Sequence, residues 1–555
     1  MAKNKYFIYI LIALGLYLFF FQLGDRSFRN PDEGRYAEVA REMVLSHNWI
    51  EPTLYSVDYL SKPILFYWLL AVSFKVFGMN EFAARFVPAL FGFLAVVITY
   101  LFTKKVLGKK EAVFSSILLA ANIWYLEVSR FLLIDAVFSF FLVAAFYLFY
   151  LAITDESKNR IYYTLFYLSI SLAFLTKGLA AFATVGVSLL LYLLLTKRLK
   201  KTFVEIRLVE GIFIFLIIAL PWFVAISIRE PEFLKQFFIH EHFARFTSNQ
   251  FEHQAPFYYY FVALPIMFLP WVLFPSAIGH AFRRVVKDGV CSPDFYLFIC
   301  AAGTFIFYSI SKTKMPTYLL PCIPLLSILL GRGWVSLSET QSEKPTFFSR
   351  LSIFFMMVLI ALAVWVLASP LVHTSILKKV SLEARPFIFI IAIILVAEGV
   401  VAIYFLNRQK WSFLFYSLGF CVILVSTPVT WTMEALNPDY TNQHFAEALK
   451  PLLRSGNKVF IYDQPGAFYD FQFYLDYPVK LVGLEGELKL SKDDAEAKEA
   501  SIKHEDFYNL LSKNERVYCL MRKSDYNEMK PELKNRVRII RADKRKVLIA
   551  TATVI

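Results

Sequence analysis

Apolar stretches long enough to cross a lipid bilayer recur along this chain, and no other feature limits its fold as strongly. A transmembrane helix needs about 20 predominantly apolar residues. Stretches of this kind lie at about 6–23, 86–103, 111–127, 133–153, 161–176, 179–196, 208–228, 257–281, 295–311, 316–331, 351–369, 387–406 and 411–433. They predict a polytopic α-helical membrane protein with about thirteen transmembrane helices.

The distribution of Lys and Arg predicts the orientation of these spans. The first stretch follows Lys3 and Lys5, but its apolar core of about 18 residues and the lack of a small-residue cleavage site favour an uncleaved first span. With a cytoplasmic N-terminus, basic loops such as "TKKVLGKK", "TKRLKKTFVEIR" and "FRRVVKDG" fall inside. An odd number of spans then places the C-terminus outside, together with the long loops 24–85 and 229–256.

The end of the chain differs from the rest. From about residue 434, short β-like pieces such as "KVFIY" and "RVYCLMR" alternate with helix-like pieces such as "NQHFAEALKPLLR". We therefore predict a transmembrane domain at 1–433, whose outer loops carry the functional site, and a soluble periplasmic α/β domain at 434–555.

Composition excludes two classes of function. The chain is 58% hydrophobic, and its net charge of +14 comes mainly from short loops between apolar stretches, so topology accounts for the charge and nucleic-acid binding is not indicated. Five cysteines are scattered without a CxxC pair, so neither a disulfide framework nor a thiolate metal site is indicated.

The first outer loop begins with an acidic stretch, "NPDEGRYAEVAREM". Asn30 suits a helix N-cap, Pro31 suits the first helical position, and Asp32 and Glu33 suit the first turn, where the helix dipole favours acids. These two acids either serve only the helix start or belong to a functional site. An apolar stripe at helical spacing predicts an amphipathic helix on the membrane surface, formed by Tyr36, Val39, Ala40 and Met43.

Three further features lie at the predicted outer ends of spans. Lys62, in "DYLSKPILFYW", either snorkels to the interface or holds an anionic headgroup. Asp135, at the rim of a span, either faces a cavity or pairs with Arg130 for structure alone. The third feature is a helix start at Pro316, where a phosphate would be stabilised, beside Lys312, Lys314 and Tyr318.

Together these motifs carry a family resemblance. The stretches "NPDEGRYAEVAREM", "SKPILFYWLLAVSFKVFGMNEFAARFVPALFG", "RFLLIDAVFSFF", "HEHFARFTSN" and "SKTKMPTYLLPCIPLLSILLG" resemble, in order, motifs of the GT-C glycosyltransferases. They are most similar to the branch of bacterial lipid A aminoarabinose transferases and protein O-mannosyltransferases. The resemblance implies transfer of a sugar from a polyprenyl (undecaprenyl) phosphate carrier to an acceptor at the periplasmic face of the inner membrane, with lipid A or lipopolysaccharide expected first.

The resemblance also implies roles for particular residues. Asp32 matches the catalytic carboxylate and Asp135 a second functional acid, with Glu33 able to assist. Attack opposite the leaving phosphate implies inversion at the anomeric carbon. The residues expected to bind substrate, chiefly near the carrier phosphate, are Arg35, Tyr36, Lys62, Arg245, Lys314 and Tyr318.

A metal site is an open question at this stage. In the aminoarabinose transferases, a glutamate before the loop lysine holds a metal together with a histidine, whereas this chain has Ser61 there. The histidines remain, and His240 and His242, with His253 nearby, could bind zinc or another divalent cation. A hydrogen-bonding role for them is the alternative, and the change leaves aminoarabinose, a uronic acid and a hexose all open as the sugar.

Two rival functions remain at this stage. A lipid or sugar transporter could also use many spans with buried charge, but it would show paired broken helices in two related halves, and the sequence has no convincing internal repeat. A non-catalytic scaffold would tolerate replacement of the outer acids. We therefore expect an enzyme of the glycosyltransferase class.

Overall fold

The structure is a computed structural model that describes residues 3–235, 237–239, 254–340, 346–369, 380–463, 465–483, 499–513 and 515–552. The chain forms two compact units. We call Met1–Gln22 with Phe86–Thr432 the membrane unit, and Leu23–Arg85 with Met433–Ile555 the loop-and-tail unit. The segment predicted as the first outer loop, for which we keep that name, therefore folds with the C-terminal domain as one compact unit.

Helices dominate the described chain, as the sequence predicts. Their bounds in chain order are Lys3–Phe20, Asp32–Ser46, Leu65–Phe77, Glu81–Val106, Lys109–Ala120, Ile123–Arg130, Ile134–Thr154, Asn159–Lys177, Ala180–Leu195, Leu199–Glu205, Leu208–Ile218, Leu220–Arg229, Phe233–Lys235, Tyr259–Met267, Pro275–Lys287, Pro293–Ile310, Cys322–Glu339, Phe347–Ala368, Arg385–Asn407, Trp411–Leu436, Gln443–Leu449, Phe471–Leu475, His504–Ser512, Lys523–Glu528 and Pro531–Lys534. Short 3₁₀ helices lie at Glu156–Lys158, Trp271–Leu273, Pro316–Leu319, Asn437–Asp439, Lys450–Leu452 and Pro465–Ala467.

Within the described residues, the number of full-length spans is smaller than the thirteen that the sequence predicts. Six single helices are long and apolar enough to cross a membrane, or eight if each of two bent pairs counts as one span. Lys109–Ala120 and Ile123–Arg130 meet at 59°, because the Asn122 side chain accepts a hydrogen bond from Tyr125 N and starts a new helix. The stretch predicted at 257–281 is divided at Pro270 and Pro275, each of which lies at the start of a new element, whereas Pro265 lies inside the helix Tyr259–Met267.

Small residues let helices of the membrane unit approach closely. A Cβ at Gly331 would lie 2.5 Å from Ser115 Oγ, so Cys322–Glu339 packs directly on Lys109–Ala120. Close approach through Gly and Ser is how membrane helices gain dispersion contacts without a hydrophobic driving force. The contact brings buried aromatic rings together nearby, with Trp334 edge-on to Trp271 at a centroid distance of 6.1 Å.

The first outer loop holds two helices and a hairpin. Strands β1 (Thr53–Leu54) and β2 (Val57–Asp58) pair antiparallel around a two-residue turn, and both turn residues, Tyr55 and Ser56, have φ of 58°. Such a conformation strains residues other than Gly. The Glu42 carboxylate stabilises it by accepting hydrogen bonds from Thr53 Oγ1 at 2.6 Å and Tyr55 N at 2.7 Å.

The first-loop helix, Asp32–Ser46, differs from the expected membrane-surface helix. Its apolar stripe is buried, with Val39 and Ala40 both 0% exposed, and Tyr36 packs against Phe66 of the second loop helix. Its polar face is buried as well, since Glu38 is also 0% exposed. The apolar stripe therefore packs inside the protein against the second loop helix, and the C-terminal domain covers the polar face through Gln472 and Asp476.

The C-terminal domain contains a six-stranded sheet. Its strands are β3 (Lys458–Tyr462), β4 (Lys480–Val482), β5 (Ser501–Ile502), β6 (Val517–Arg522), β7 (Val537–Ala542) and β8 (Lys546–Thr551). Their order is β5-β4-β3-β6-β8-β7; the first four strands are parallel to one another, and β8 is antiparallel to both of its neighbours, β6 and β7. The core between this sheet and its helices contains Phe460, Phe507, Cys519 and Ile549.

Candidate active site

The first-loop helix begins at Asp32, whose carboxylate is partly open to solvent. Asp32 Oδ1 accepts a hydrogen bond from Arg35 Nη2 at 2.5 Å, one turn later in the helix. The Asp32 side chain is 35% exposed and the Arg35 side chain 12%. Asp32 is therefore an oriented acid that a substrate can reach.

The neighbouring acid, Glu33, has a different environment. Its side chain is 2% exposed and pairs with Arg85, from Nε to Oε1 at 2.8 Å and from Nη2 to Oε2 at 2.9 Å. Arg26 lies 3.4 Å away on the same carboxylate, and Arg29 N donates to it at 2.9 Å. This enclosure favours a structural role for Glu33 over the predicted assistance in catalysis, because a saturated, buried carboxylate has little freedom to exchange a proton.

The helix start is not capped as the sequence predicts. Pro31 occupies the cap position without a side-chain cap hydrogen bond, and the Asn30 amide instead donates to Asp470 Oδ1 at 2.5 Å. The predicted N-cap is wrong because a residue far along the chain takes the Asn30 side chain. Glu33 reaches back to the Arg29 N–H and so accepts from the backbone just before the helix.

Tyr36 and Arg35, both expected to bind substrate, lie beside an aromatic cluster. Tyr36 is 4% exposed and its ring meets Phe66 edge-on at 5.2 Å. The Arg35 guanidinium lies 5.1 Å from the Tyr36 ring centre and 5.8 Å from that of Tyr59. Arg35 therefore packs against aromatic rings while it pairs with Asp32, whereas Tyr36 is mainly a core residue.

Lys62 lies at the turn before the second loop helix. Its Nζ donates to the Ser61 carbonyl at 2.9 Å, and the side chain is half-buried. Ser61 itself is 7% exposed, and its Oγ has no hydrogen-bond partner among the described residues. A neutral hydroxyl is a poor ligand for a divalent cation, so Ser61 does not supply the charge of the expected glutamate.

In the membrane unit, Asp135 pairs with a lysine that the sequence analysis missed. Lys177 Nζ lies 2.6 Å from Asp135 Oδ1, and their side chains are 15% and 11% exposed. The same Nζ lies 4.6 Å from the ring centre of Tyr318, which stacks at a tilt on Tyr308. The structure therefore brings the predicted Asp135 and Tyr318 together around Lys177, while Arg130 donates to the carbonyl of Phe21 after the first helix.

The sequence contains a signal for Lys177. The stretch "TKG" follows an apolar span, and this position by itself predicts only a short outer turn. A single lysine at the end of a span is a site candidate by the same argument that singled out Asp135. Without the structure, however, nothing links two residues 42 positions apart.

Lys314, another predicted phosphate ligand, is engaged by backbone. It is 6% exposed, and its Nζ donates to the carbonyls of Ala255, at 3.2 Å, and Ser311. Burial and the nearby Lys312 lower the pKa of the Lys314 ammonium. In this geometry Lys314 fastens the loop that leads to Tyr318, which is a positioning role.

Three predicted residues lie outside the described part of the chain, namely Arg245, His240 and His242, as does His253. The described residues contain no group of three or more His, Cys, Asp or Glu side chains that could hold a metal ion. Ser61 supplies no carboxylate in place of the glutamate that the resemblance implies, and a metal site at His240 and His242 stays a prediction.

Comparison with known proteins places these residues in a family. The family model described as dolichyl-phosphate-mannose-protein mannosyltransferase matches residues 6–237. An undecaprenyl phosphate-α-4-amino-4-deoxy-L-arabinose arabinosyl transferase of Shewanella sediminis is 30% identical over 521 residues, which is 90% of each chain. That of Edwardsiella ictaluri is 32% identical, and there the match spans 60% of the length of each chain. The chain belongs to this family of arabinosyl transferases.

Solved structures of the family share the fold. ArnT from Cupriavidus metallidurans, in a crystal structure bound to undecaprenyl phosphate, is 25% identical with a TM-score of 0.84 and covers 99% of this chain and 98% of its own. The archaeal oligosaccharyltransferase AglB from Archaeoglobus fulgidus shows a fold likeness alone, with 13% identity and a TM-score of 0.50. The arabinosyl transferase relationship thus confirms the predicted GT-C membrane fold, the C-terminal sheet domain and the glycosyltransferase class.

Proposed function

We propose that this chain transfers 4-amino-4-deoxy-L-arabinose from undecaprenyl phosphate to lipid A. The observation that supports this most is the likeness to the Cupriavidus ArnT bound to undecaprenyl phosphate, which extends over nearly the whole of both chains. The mannosyltransferase family model matches only residues 6–237. Full-length similarity therefore favours the arabinosyl transferases over a protein mannosyltransferase.

The proposed orientation follows from the basic loops. The N-terminus would lie in the cytoplasm of a bacterium and the C-terminal domain in the periplasm, since Lys and Arg concentrate in loops that alternate with the proposed outer ones. The reaction would take place at the periplasmic face of the inner membrane. No nucleotide is needed there, because the lipid-linked phosphosugar is already activated.

In the proposed reaction, the bond between the anomeric carbon and the carrier phosphate oxygen breaks. A new bond forms from the anomeric carbon to an oxygen of a lipid A phosphate, and undecaprenyl phosphate leaves as an anion. A phosphate acceptor is ionised at neutral pH, so no general base is required. Asp32, with one oxygen held by Arg35 and a side chain that is 35% exposed, would stabilise the positive charge that develops on the sugar ring.

The leaving phosphate needs cationic and hydrogen-bonding groups. We assign this role to Lys62, Arg245 and Tyr318, and we add Lys177 because its ammonium lies beside the Tyr318 ring. Asp135 would orient Lys177 through their 2.6 Å contact and balance its charge while the site is empty. Each well-placed donor to a developing oxyanion contributes about 3 kcal/mol to transition-state stabilisation.

The proposed activity is tested with the purified full-length chain in lipid nanodiscs. Undecaprenyl phosphate-aminoarabinose and lipid A are supplied, and mass spectrometry follows the acceptor. We expect the acceptor to gain one aminoarabinose residue, with inverted configuration at the anomeric carbon. A donor that carries a neutral hexose and a serine-rich peptide acceptor form the comparison arms.

Each alternative outcome has a clear meaning. Transfer of hexose in preference to aminoarabinose would contradict the proposed sugar, and the Ser61 difference would then mark a change of donor. Modification of the peptide instead of lipid A would contradict the acceptor. Movement of intact donor across the bilayer without consumption would replace the enzyme with a transporter.

A further inference from the structure

A short segment of the C-terminal domain, residues 467–476, packs against the first outer loop. We call it the support segment, and its alternate side chains form hydrogen bonds or an ion pair with the loop. Gln472 Nε2 donates to Glu38 Oε1 at 2.8 Å, the Tyr474 hydroxyl accepts from Phe28 N at 2.7 Å, and Asp476 pairs with Arg41. The fourth such side chain, Asp470, is the one that reaches the start of the first-loop helix.

Asp470 is 0% exposed and accepts hydrogen bonds on both carboxylate oxygens. Oδ1 accepts from the side-chain amides of Asn30, at 2.5 Å, and Asn442, at 2.6 Å. Oδ2 accepts from Thr441 Oγ1 at 2.9 Å and Asn442 N at 2.8 Å. A buried carboxylate with four donors is rigidly held.

The contact with Asn30 is reciprocal. The backbone N–H of Asp470 donates to Asn30 Oδ1 at 3.2 Å, and Asn30 N donates to the Tyr440 carbonyl at 3.1 Å. Both ends of the Asn30 amide are therefore fixed by the C-terminal domain. Asn30 is two residues before Asp32, so this contact fixes the turn that leads into the helix.

Gly34 lies where the first-loop helix and the support segment approach each other closely. A Cβ at this position would lie 2.5 Å from Asn30 Oδ1 and 2.6 Å from Asp470 N. Any larger residue would push the support segment away from the helix start. Gly34 is therefore required for the close contact with Asp470. This is a second observation, independent of the hydrogen bonds, that the helix start and the support segment are closely packed.

We propose that Asp470 is a positioning residue for sugar transfer, which acts through Asn30 to fix the turn that presents Asp32. The C-terminal domain would then be part of the catalytic apparatus rather than an appendage. The inference rests on the proposed function of Asp32. Its physical basis is that displacement of a catalytic group by about 1 Å can slow a reaction by about 100-fold.

The test uses the full-length enzyme in nanodiscs, with kcat and the KM for undecaprenyl phosphate-aminoarabinose measured per folded molecule. Asp470→Asn keeps the shape but turns one acceptor oxygen into a donor, so the set of four donors is no longer satisfied, and we expect kcat to fall about tenfold while KM changes less than twofold. Asn30→Ala removes the link itself, and we expect a similar loss of kcat. Asp470→Asn added to Asn30→Ala should cost less than a further twofold, because both changes act on one contact.

Two further variants separate positioning from stability. Asp476→Asn alters the same segment at a side chain that is 77% exposed, so kcat should stay within twofold of wild type. Asp470→Asn added to Asp32→Asn should cost less than a further twofold, because a carboxylate that is absent cannot be misplaced. Losses that multiply in this pair, or in the pair Asn30→Ala with Asp470→Asn, would overturn the proposal.

The same variants separate this inference from the role of Asp32. Wild-type kcat in Asp470→Asn, with Asp32→Asn inactive, would refute the positioning role and leave the proposed function of Asp32 intact. Near-normal turnover in Asp32→Asn would refute the function of Asp32 and, with it, the inference.

Discussion

Buried charge is used differently in the two units of the molecule. In the loop-and-tail unit, Glu33 is enclosed by Arg85 and Arg26, and its side chain is 2% exposed. In the membrane unit, Asp135 has an ion pair with Lys177, and 11% of its side chain is exposed. The first arrangement holds chain segments together, whereas the second is a largely buried pair at the start of the helix Ile134–Thr154.

Exposure and partners, rather than the presence of an acid, separate the two uses. Arg85 also donates to the carbonyls of Leu23, at 3.2 Å, and Ser27, at 3.0 Å, so the Glu33 pair gathers the chain before the first-loop helix. Asp32, with a 35% exposed side chain, resembles Asp135 more than its neighbour Glu33.

The largest effect is expected from Arg85→Ala. This change leaves the Glu33 carboxylate buried without its bidentate partner, and breaking a buried pair in this way costs about 3–5 kcal/mol. Thermal unfolding of the purified protein should show a large drop in midpoint. Lys110→Ala, which removes a pair with Glu339 whose side chains are 47% and 57% exposed, should change the midpoint little. Equal losses of midpoint in the two variants would contradict the expected difference between a buried and an exposed ion pair.

A smaller effect, on activity, is expected from Asp135→Asn. Loss of the charge weakens the 2.6 Å contact with Lys177, and we expect transfer to slow about tenfold. The unfolding midpoint should fall less than in Arg85→Ala, because the Asn oxygen can still accept from Lys177. The matched control lies at the other end of the helix Ile134–Thr154, where Asp155 pairs with Lys105. Asp155→Asn should keep transfer within twofold of wild type. A similar loss in both variants would show that the Asp135 pair has no special role.

The smallest effect concerns the pH dependence of stability. Burial raises the pKa of Glu38 to about 8, with Arg41 opposing and Glu42 adding to the shift. The folded state therefore holds a proton that the unfolded state has released above its ordinary pKa of about 4.3. Stability should fall as the pH rises from about 5 to about 8, and Glu38→Gln should flatten this slope. Unfolding midpoints across this pH range test the prediction, with exposed Glu447→Gln as the control; an unchanged slope in Glu38→Gln would refute it.

Local patterns in the sequence predicted much of the fold. The strand "KVFIY" is β3 at Lys458–Tyr462, and "RVYCLMR" contains β6 at Val517–Arg522. Strand β7 was missed because its "VRIIRA" sequence places arginines on an exposed edge, which weakens the apolar signal. Broken spans were missed because hydropathy over a window reports apolar length and not where a cap or proline interrupts the helix.

Site residues could be predicted by type but not by partner. The sequence singled out Asp32, Asp135 and Tyr318, yet it could not show that Glu33 meets Arg85, 52 positions later, or that Asn30 meets Asp470, 440 positions later. Such pairs depend on tertiary packing, which the spacing of residues along one chain does not encode. The structural interpretation of Glu33 as a helix-start acid agrees with its hydrogen bond from Arg29 N. Its main partner, however, is Arg85, which lies far along the chain.

The roles of the two neighbouring carboxylates, Asp32 and Glu33, are compared directly in one experiment. Asp32→Asn and Glu33→Gln are purified in nanodiscs, and transfer of aminoarabinose to lipid A and the unfolding midpoint are measured on the same samples. We predict that Asp32→Asn slows transfer at least about 100-fold with a nearly unchanged midpoint, whereas Glu33→Gln lowers the midpoint strongly and the molecules that remain folded retain most of their activity. Near-normal turnover in Asp32→Asn, or an inactive Glu33→Gln with wild-type stability, would contradict the account.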